Sequence, residues 1–376
     1  MTAPASLLRV LVVDDSAQSR KNIAELLVES GEVEVVGRAA DGEEALRLAS
    51  QLRPDVITLD LEMPKMDGFT FLRILMARQP TPVIVVSSHS AKEQVFRALE
   101  LGALDFVAKP ELRDSRPPSS TRGREQATPA RGVLVDAERV FCETLLAKVS
   151  LARRLVPQKL VRSPSPATLL ERELPLLPRP PRHIVVVAAS TGGPGALLEL
   201  FARLPERVNA AFLIAQHMPD RFTRTFADRL DRKGAVRVVE AQEGDLVVAR
   251  KGYVCPGGQS MELVSTGGLH ERAAAPELRL ALRPSSADDR YVPSADRLFT
   301  SAASIAGSRT LGVVLTGMGD DGTAGARAIV QAGGVVVVES EESAVVYGMP
   351  GSVVRAGLAS DVLPLSGIVE LLGKLQ

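Results

Sequence analysis

The chain has 376 residues, 45% of them hydrophobic, with 45 Lys+Arg balanced by 45 Asp+Glu and no formal net charge. That length suits two or three domains with real cores, and the charge balance gives no global pull toward nucleic acid or an acidic membrane surface. Aromatic residues are only 3% and Trp is absent, so stacking platforms for single-stranded nucleic acid are few.

At the N-terminus no basic region precedes an apolar stretch, and Asp14 and Asp15 interrupt the first apolar run. A signal peptide is not expected, and no apolar run is long enough to span a bilayer. Cys142 and Cys255 show neither disulfide nor zinc spacing. The expectation is a soluble protein of the cytoplasm. From Arg9 to Pro110, short apolar runs (Arg9–Val13, Glu34–Ala39, Asp55–Leu59, Pro82–Ser87, Asp105–Ala108) alternate with helical patterns. The first pattern has Ser16 as N-cap, Ile23, Leu26 and Leu27 on one face, and Gly31 as its stop. Such alternation predicts βαβ units and a parallel sheet.

Residues 112–131 are rich in Pro, Ser and Arg with almost nothing to bury, and read as an exposed insertion. A helix is predicted over about 133–156, with Leu134, Phe141, Leu145, Val149 and Ala152 on one stripe and Pro157 at its end. A Pro-rich linker follows over about 157–182. From His183 the α/β rhythm resumes, with strand-like runs at His183–Ala189, Ala211–Gln216, Leu311–Thr316 and Val335–Glu339. Between them, residues 236–290 have shorter runs and paired glycines, and read as hairpins inserted in the sheet's connections.

In the first domain Asp14 and Asp15 end strand one, Asp60 ends strand three, Ser87 ends strand four and Lys109 follows strand five. Functional groups of an open parallel sheet gather at those carboxyl ends. Three crowded carboxylates need a cation, and an oxygen-rich set of this kind suits Mg²⁺. Asp60 is positioned to accept a phosphoryl group, with Asp14 and Asp15 holding the metal, Lys109 pairing with the phosphate and Ser87 bonding it. Any one of these aspartates alone would read as a helix cap.

The pieces VLVVDDS, ITLDLEMPKMDG, VIVVSS and DFVAKP resemble the receiver domain of two-component response regulators. The resemblance implies a flavodoxin-like parallel sheet, phosphorylation of Asp60 by a partner histidine kinase, a metal shell of Asp14, Asp15 and Asp60 completed by the backbone of Glu62, and Phe106 as a rotating switch aromatic.

In the second domain the strand His183–Ala189 runs into Ser190-Thr-Gly-Gly-Pro-Gly before a helix. A serine on a sharp strand-to-helix turn is exposed beside a helix N-terminus, a place for a nucleophile. Ser190 or Thr191 could equally cap the helix, or the turn could bind phosphate, although no phosphate-loop spacing is present. A nucleophilic serine needs a base, and there are four histidines. His89 lies in the receiver, His183 lies roughly 23 Å from Ser190 at strand rise, and His270 falls in a glycine-flanked loop. His217 directly follows the strand Ala211–Gln216 and should emerge on the same edge as Ser190. The imidazole needs an orienting acid, and Asp320 and Asp321, after the strand Leu311–Thr316, both sit at that edge, where either could instead cap the next helix.

Residues 183–372 resemble the catalytic domain of the chemotaxis protein-glutamate methylesterase (CheB) family, through AASTGGPGAL, AQHMPDRFTRTFADRL, CPGGQSMEL, PSADRLFTSAA, VVLTGMGDDGTAGARAI and VVYGMPGSV. The resemblance implies a doubly wound α/β domain with Ser190 as nucleophile, His217 as general base and Asp321 as orienting acid, and with Thr191 and the backbone N–H of Met318 supporting the oxyanion. It also implies hydrolysis of glutamate methyl esters, and deamidation of glutamines, on methyl-accepting chemotaxis receptors, with the enzyme peripheral to membrane receptor arrays. The unphosphorylated receiver would cover the triad. No cofactor is expected for the hydrolase, and no nucleic-acid partner. The implied domains are a receiver over 1–112, insertion, closing helix and linker over 113–182, and the catalytic domain over 183–376. Three residues depart from the family pattern: Ala188 for Gly, Asp320 for Asn and Ser260 for His. Asp320 is expected to crowd the triad acid and raise one of their pKa values. Three rivals predict other features. A DNA-binding regulator needs a compact basic helix-turn-helix output, which this long, neutral α/β half lacks. A non-catalytic scaffold would not need all three triad residue types. A small-molecule esterase would act on generic esters alone.

Overall fold

A computed structural model describes residues 7–88, 92–110, 130–151, 179–266, 277–285 and 289–375. The chain divides into two units, Met1–Val161 and Arg162–Gln376. His89, His270, residues 112–129 of the expected insertion, residues 157–178 of the expected linker, Ala152 and the side chain of Leu134 lie outside the described residues.

The first unit is built on β1 (Leu8–Val13), β2 (Val33–Ala39), β3 (Val56–Leu59), β4 (Val83–Ser87) and β5 (Asp105–Ala108), all parallel, in the order β2-β1-β3-β4-β5. This is the flavodoxin-like order, and its central strands are mostly apolar because helices cover both faces. The helices are α1 (Ala17–Glu29), α2 (Gly42–Leu52), α3 (Gly68–Arg78), α4 (Lys92–Glu100) and α5 (Ala130–Leu151). Ser16 caps α1 by accepting the Ser19 N–H, and Gly31 takes the left-handed conformation just past its end.

The helix expected over 133–156 is α5, which starts at Ala130 and is described to Leu151. Leu145, Val149 and Leu151 are buried, and the Lys148 ammonium sits 2.9 Å from the buried Asp105 carboxylate on β5 and donates to the Phe106 carbonyl at 2.8 Å. A lysine on the docking face of α5 thus answers a carboxylate that strand β5 would otherwise bury unpaired.

The second unit holds seven strands in the order β14-β13-β12-β6-β7-β9-β8. They are β6 (His183–Ala189), β7 (Ala210–Gln216), β8 (Arg237–Glu240), β9 (Lys251–Val254), β12 (Thr310–Val314), β13 (Val335–Glu339) and β14 (Asp361–Leu363), and every pairing is parallel. Helices α6 (Gly193–Arg203), α7 (Asp220–Lys233), α8 (Ala295–Ala306), α9 (Thr323–Gln331), α10 (Met349–Arg355) and α11 (Leu365–Gly373) pack on it. In the region expected to carry hairpins, β8 and β9 join the main sheet in parallel instead. Their runs are too short to show which partner they seek. Among the described residues, β10 (Gln259–Thr266) and β11 (Glu277–Pro284) pair antiparallel along their whole length, as a two-stranded sheet of their own. The chain proceeds outward from β6 on one side, then returns to place β12 on the other. The crevice at the carboxyl ends of β6 and β12 is therefore the topological switch point, where open α/β sheets place their ligands.

Candidate functional sites

In the first unit Asp14 and Asp60 are buried at the ends of β1 and β3, and Asp15 beside them is exposed. One carboxylate oxygen from each can be chosen so that all three lie within 4.8 Å of one another. The turn after β1 fixes Asp14: Ser16 N–H and Ser19 Oγ donate to its two oxygens at 2.9 and 2.6 Å. Lys109 reaches in from the end of β5, 2.9 Å from Asp14 Oδ2, and also pairs with Asp60 Oδ2. Its backbone N–H donates to the Ser87 carbonyl at 2.8 Å, which ties the ends of β4 and β5 together beside the buried Ser87. The Glu62 backbone N–H turns back to Asp60 Oδ1 at 3.2 Å, while its side chain is exposed.

Burial pushes the Asp60 carboxyl above the ordinary carboxylate range, the Lys109 contacts pull it down, and Asp14 pushes the same way as burial. For Lys109 burial is the largest single influence and lowers its pKa, but the bonds and charges of Asp60 and Asp14 together outweigh it and leave the net shift upward. Phe106 is 3% exposed, in edge contact with Phe96 at 6.3 Å between centroids, with the Lys148 ammonium 5.4 Å from its ring. The aromatic expected to rotate is thus already turned inward here.

In the second unit β6 and β7 run in register, with Ala189 opposite Gln216. Ser190 and His217 are the next residues on each, so they leave the sheet side by side, about 4.8 Å apart at strand spacing. Gln216 is buried between the two turns, and its amide donates to the carbonyls of both Ser190 and His217 at 3.0 Å. The sharp turn after Ser190 requires Gly192, whose φ is +78° and whose absent Cβ would press on Val345 and Thr316. Thr316, two residues past β12, braces the turn after Ser190. Its carbonyl accepts the Ser190 N–H at 3.0 Å, its hydroxyl donates to the Thr191 carbonyl at 2.9 Å, and its own N–H is held by the buried Glu339 at 2.8 Å. With the Ser190 N–H committed, the N–H groups of Thr191 and Met318 donate to no protein acceptor among the described residues. Thr191 is buried and Met318 is 41% exposed.

Asp321 is 1% exposed, and its Oδ2 lies 2.8 Å from His217 Nε2. It also accepts the Ala295 and Asp296 N–H groups at the start of α8, at 2.8 and 3.0 Å, and that of Gly322 at 3.0 Å. An ionised carboxylate is at home at a helix N-terminus with its lone pairs so occupied. Ser260, in the position of a family histidine, accepts the Ser294 N–H at 3.1 Å and so steadies the cap of that same helix. The bond to Nε2 leaves Nδ1 as the free ring nitrogen, the reverse of the usual serine-hydrolase assignment.

Asp320 and Asp321 have separate partners: Asp320 is about half exposed and accepts the Tyr291 hydroxyl at 2.9 Å, with Arg290 at 3.1 Å. Tyr291 in turn stacks on His217 at 5.3 Å between centroids and 6° between planes. Sequence reasoning missed Tyr291, Gln216, Thr316 and Glu339. Only Gln216, beside His217 in AQHMPD, carried a local signal. No helix among the described residues is long and apolar enough to cross a membrane.

Two family models match the chain, CheB methylesterase over residues 185–372 and response regulator receiver domain over residues 10–115. Protein-glutamate methylesterase/protein-glutamine glutaminase 6 of Anaeromyxobacter dehalogenans is 48% identical across 97% of this chain and 95% of its own length. The protein of the same description numbered 1 in Myxococcus xanthus is 44% identical across 98% and 97%. The crystal structure of the Thermotoga maritima CheB methylesterase catalytic domain is 38% identical, covers 52% of this chain and 98% of that one, and gives a TM-score of 0.47.

Proposed function

Since this chain belongs to the CheB methylesterase family and carries a response-regulator receiver ahead of that domain, we propose that it is a phosphorylation-controlled serine hydrolase of glutamate methyl esters on chemotaxis receptors. The observation that carries this reading is the assembly of Ser190, His217 and the buried Asp321 at the switch point of one parallel sheet, with His217 Nε2 2.8 Å from Asp321 Oδ2.

Asp321 holds the imidazole proton on Nε2, so Nδ1 takes the Ser190 proton as the hydroxyl attacks the ester carbonyl. The N–H groups of Thr191 and Met318 receive the oxyanion, a contribution worth about 2.7–4 kcal/mol per donor in comparable sites. The imidazolium then returns its proton to the departing methoxide, and methanol leaves. Water, deprotonated by the same nitrogen, releases the glutamate carboxylate and restores Ser190. A glutamine side-chain amide fits the same path with ammonia as the leaving group, the second activity in the relatives' description.

In the receiver Asp60 is the phosphoacceptor. The donors present, all oxygen and clustered within 4.8 Å, fit Mg²⁺, with Asp14, Asp15 and Asp60 as carboxylate ligands and the Glu62 backbone completing the set. The metal would neutralise charge on the transferring phosphoryl group. Lys109 and Ser87 would bind the phosphate once it is on Asp60. The partners are a histidine kinase as phosphodonor and methylated receptors as substrate, placing the protein in the cytoplasm beside receptor arrays. The test is methanol release from methylated receptor membranes by the full chain and by Ser190→Ala. Release by the first and not the second supports the reading. Equal release by both overturns it, and hydrolysis of a generic aryl ester without methanol release would make it a small-molecule esterase.

A further inference from the structure

The geometry points to Tyr291 as a positioning residue for the catalytic imidazole, latched from behind by Asp320 and Arg290. This rests on the hydrolase reading and names a part of it that the triad leaves open. The bond from His217 Nε2 to Asp321 fixes one point of the ring. It does not fix the ring's rotation about that bond, and that rotation sets where Nδ1 points. The Tyr291 face, parallel to the imidazole within 6° at 5.3 Å, fixes the plane.

Tyr291 is itself held. Its hydroxyl donates to Asp320 Oδ1 at 2.9 Å, the Arg290 guanidinium lies 5.0 Å from its ring, and Arg290 bonds Asp320 at 3.1 Å. The backbone that delivers Asp321 is shaped around it. Gly319 has φ +90°, and a Cβ there would run into the Tyr291 hydroxyl. One short segment therefore supplies the acid that binds the imidazole edge, the carboxylate that latches the stacking ring, and the gap that admits it. The stack also suits the reaction. When the ring takes the Ser190 proton it becomes a cation, and an aromatic face stabilises a cation in contact with it. Tyr291 has no part in bond making, so its loss should fall on the chemical step and not on receptor binding.

The experiment uses the full chain on methylated receptor membranes, with Tyr291→Leu, Tyr291→Phe and Asp320→Ala. Tyr291→Leu should lower kcat about 10- to 100-fold, the scale of a misplaced catalytic group, with KM for receptor unchanged. Tyr291→Phe keeps the stacked ring and should stay within a few fold. Asp320→Ala, which unlatches the ring, should fall between. Independently of turnover, the His217 ring protons of the resting enzyme should shift downfield in Tyr291→Leu and not in Tyr291→Phe, because a stacked ring shields them. A folded Tyr291→Leu that keeps its kcat, or one that loses only KM, overturns the assignment. If Tyr291→Leu does not fold, equal kcat in Asp320→Ala and the unaltered chain does so. Failure of the hydrolase reading would look different, since Ser190→Ala would then remain active while the ring-proton shifts still reported the stack.

Discussion

Both units place aspartates at the carboxyl ends of parallel strands, yet Asp60 and Asp321 are opposites. Asp60 is buried with a lysine and a second aspartate against it, and burial raises its pKa. Its surroundings are charged side chains that a metal or a phosphoryl group can rearrange. Asp321 is buried more deeply, and its neighbours are three backbone N–H groups and an imidazole. Two of those N–H groups belong to the start of α8 and cannot leave it without unwinding that turn. An aspartate at a strand end is open to switching where charged side chains crowd it, and becomes a fixture where several backbone N–H groups hold it.

The largest effect is expected from removing the chemistry that Asp321 serves. Ser190→Ala and His217→Ala should each lower methanol release by a factor on the order of 10⁴ or more, by analogy with other triads. Both variants should still accept a phosphoryl group on Asp60 from a small phosphodonor in Mg²⁺, read by phosphate incorporation. Chelation of the metal should do the reverse, abolishing incorporation while leaving basal methanol release untouched.

A smaller effect should come from the switch. Coupling between sites is typically about 1–3 kcal/mol, or roughly 5- to 150-fold. If the receiver restrains the hydrolase, deletion of residues 1–182 should raise basal methanol release within that range, and Asp60→Asn should hold the full chain at its basal rate in the presence of kinase. A truncated protein no faster than the unphosphorylated full chain would mean that the receiver activates or targets the enzyme instead.

The third effect tests what holds the switch in shape. Lys148 meets the buried Asp105 and the Phe106 carbonyl from α5. Lys148→Met would strand the Asp105 carboxylate, and breaking a buried pair from one side costs several kcal/mol. Because Lys148 keeps partial contact with water, a loss of about 2 kcal/mol is expected, read as a lower denaturant midpoint of the receiver transition in the full chain. The hydrolase transition should not move.

Lys148 also marks where the sequence stopped being legible. The five groups of the receiver pocket, Ser190 and His217 could be read as candidates because each stands at or just past the end of an apolar run, and strand ends of one parallel sheet share an edge; the choice of Asp321 over Asp320 came only from the family resemblance. The alternation of apolar runs and helical patterns announced parallel sheets in both units, and the structure supplied the strand orders. Lys148 and Asp105 are separated by 43 positions and by a stretch with no pattern, so nothing local pairs them. Tyr291 lies in DDRYVPS, a segment with neither helical nor strand period. Its role exists only once the imidazole it covers is in place. The strands β8 and β9 were read as hairpin pieces because RVVE and KGYV are each too short to show a partner, and the edge of the main sheet decided the matter. The choice of ring nitrogen on His217 has no sequence signal at all.

The smallest effect is expected one residue from the largest fixture. Asp320 and Asp321 are chain neighbours with identical side chains, and only their surroundings differ. Asp321→Asn should be severe, on the order of the 10⁴-fold loss seen when a triad acid loses its charge. An amide there presents an N–H₂ group to the N–H donors of α8 or to the imidazole, and the wrong tautomer of His217 follows. Asp320→Asn should be close to silent in kcat. The Asn carbonyl oxygen can still accept the Tyr291 hydroxyl, so the latch on the stacking ring survives. What is lost is the ion pair with Arg290, whose side chains are 72% and 51% exposed, and exposed pairs contribute little. Measuring methanol release for the two variants side by side checks the claim with a single charge removed at adjacent positions. A severe Asp320→Asn would show that Tyr291 needs a carboxylate and not merely an acceptor. Reversal of the two effects would exchange the roles of the two aspartates, and with them the reading of Asp321 as the backbone-held acid of the site.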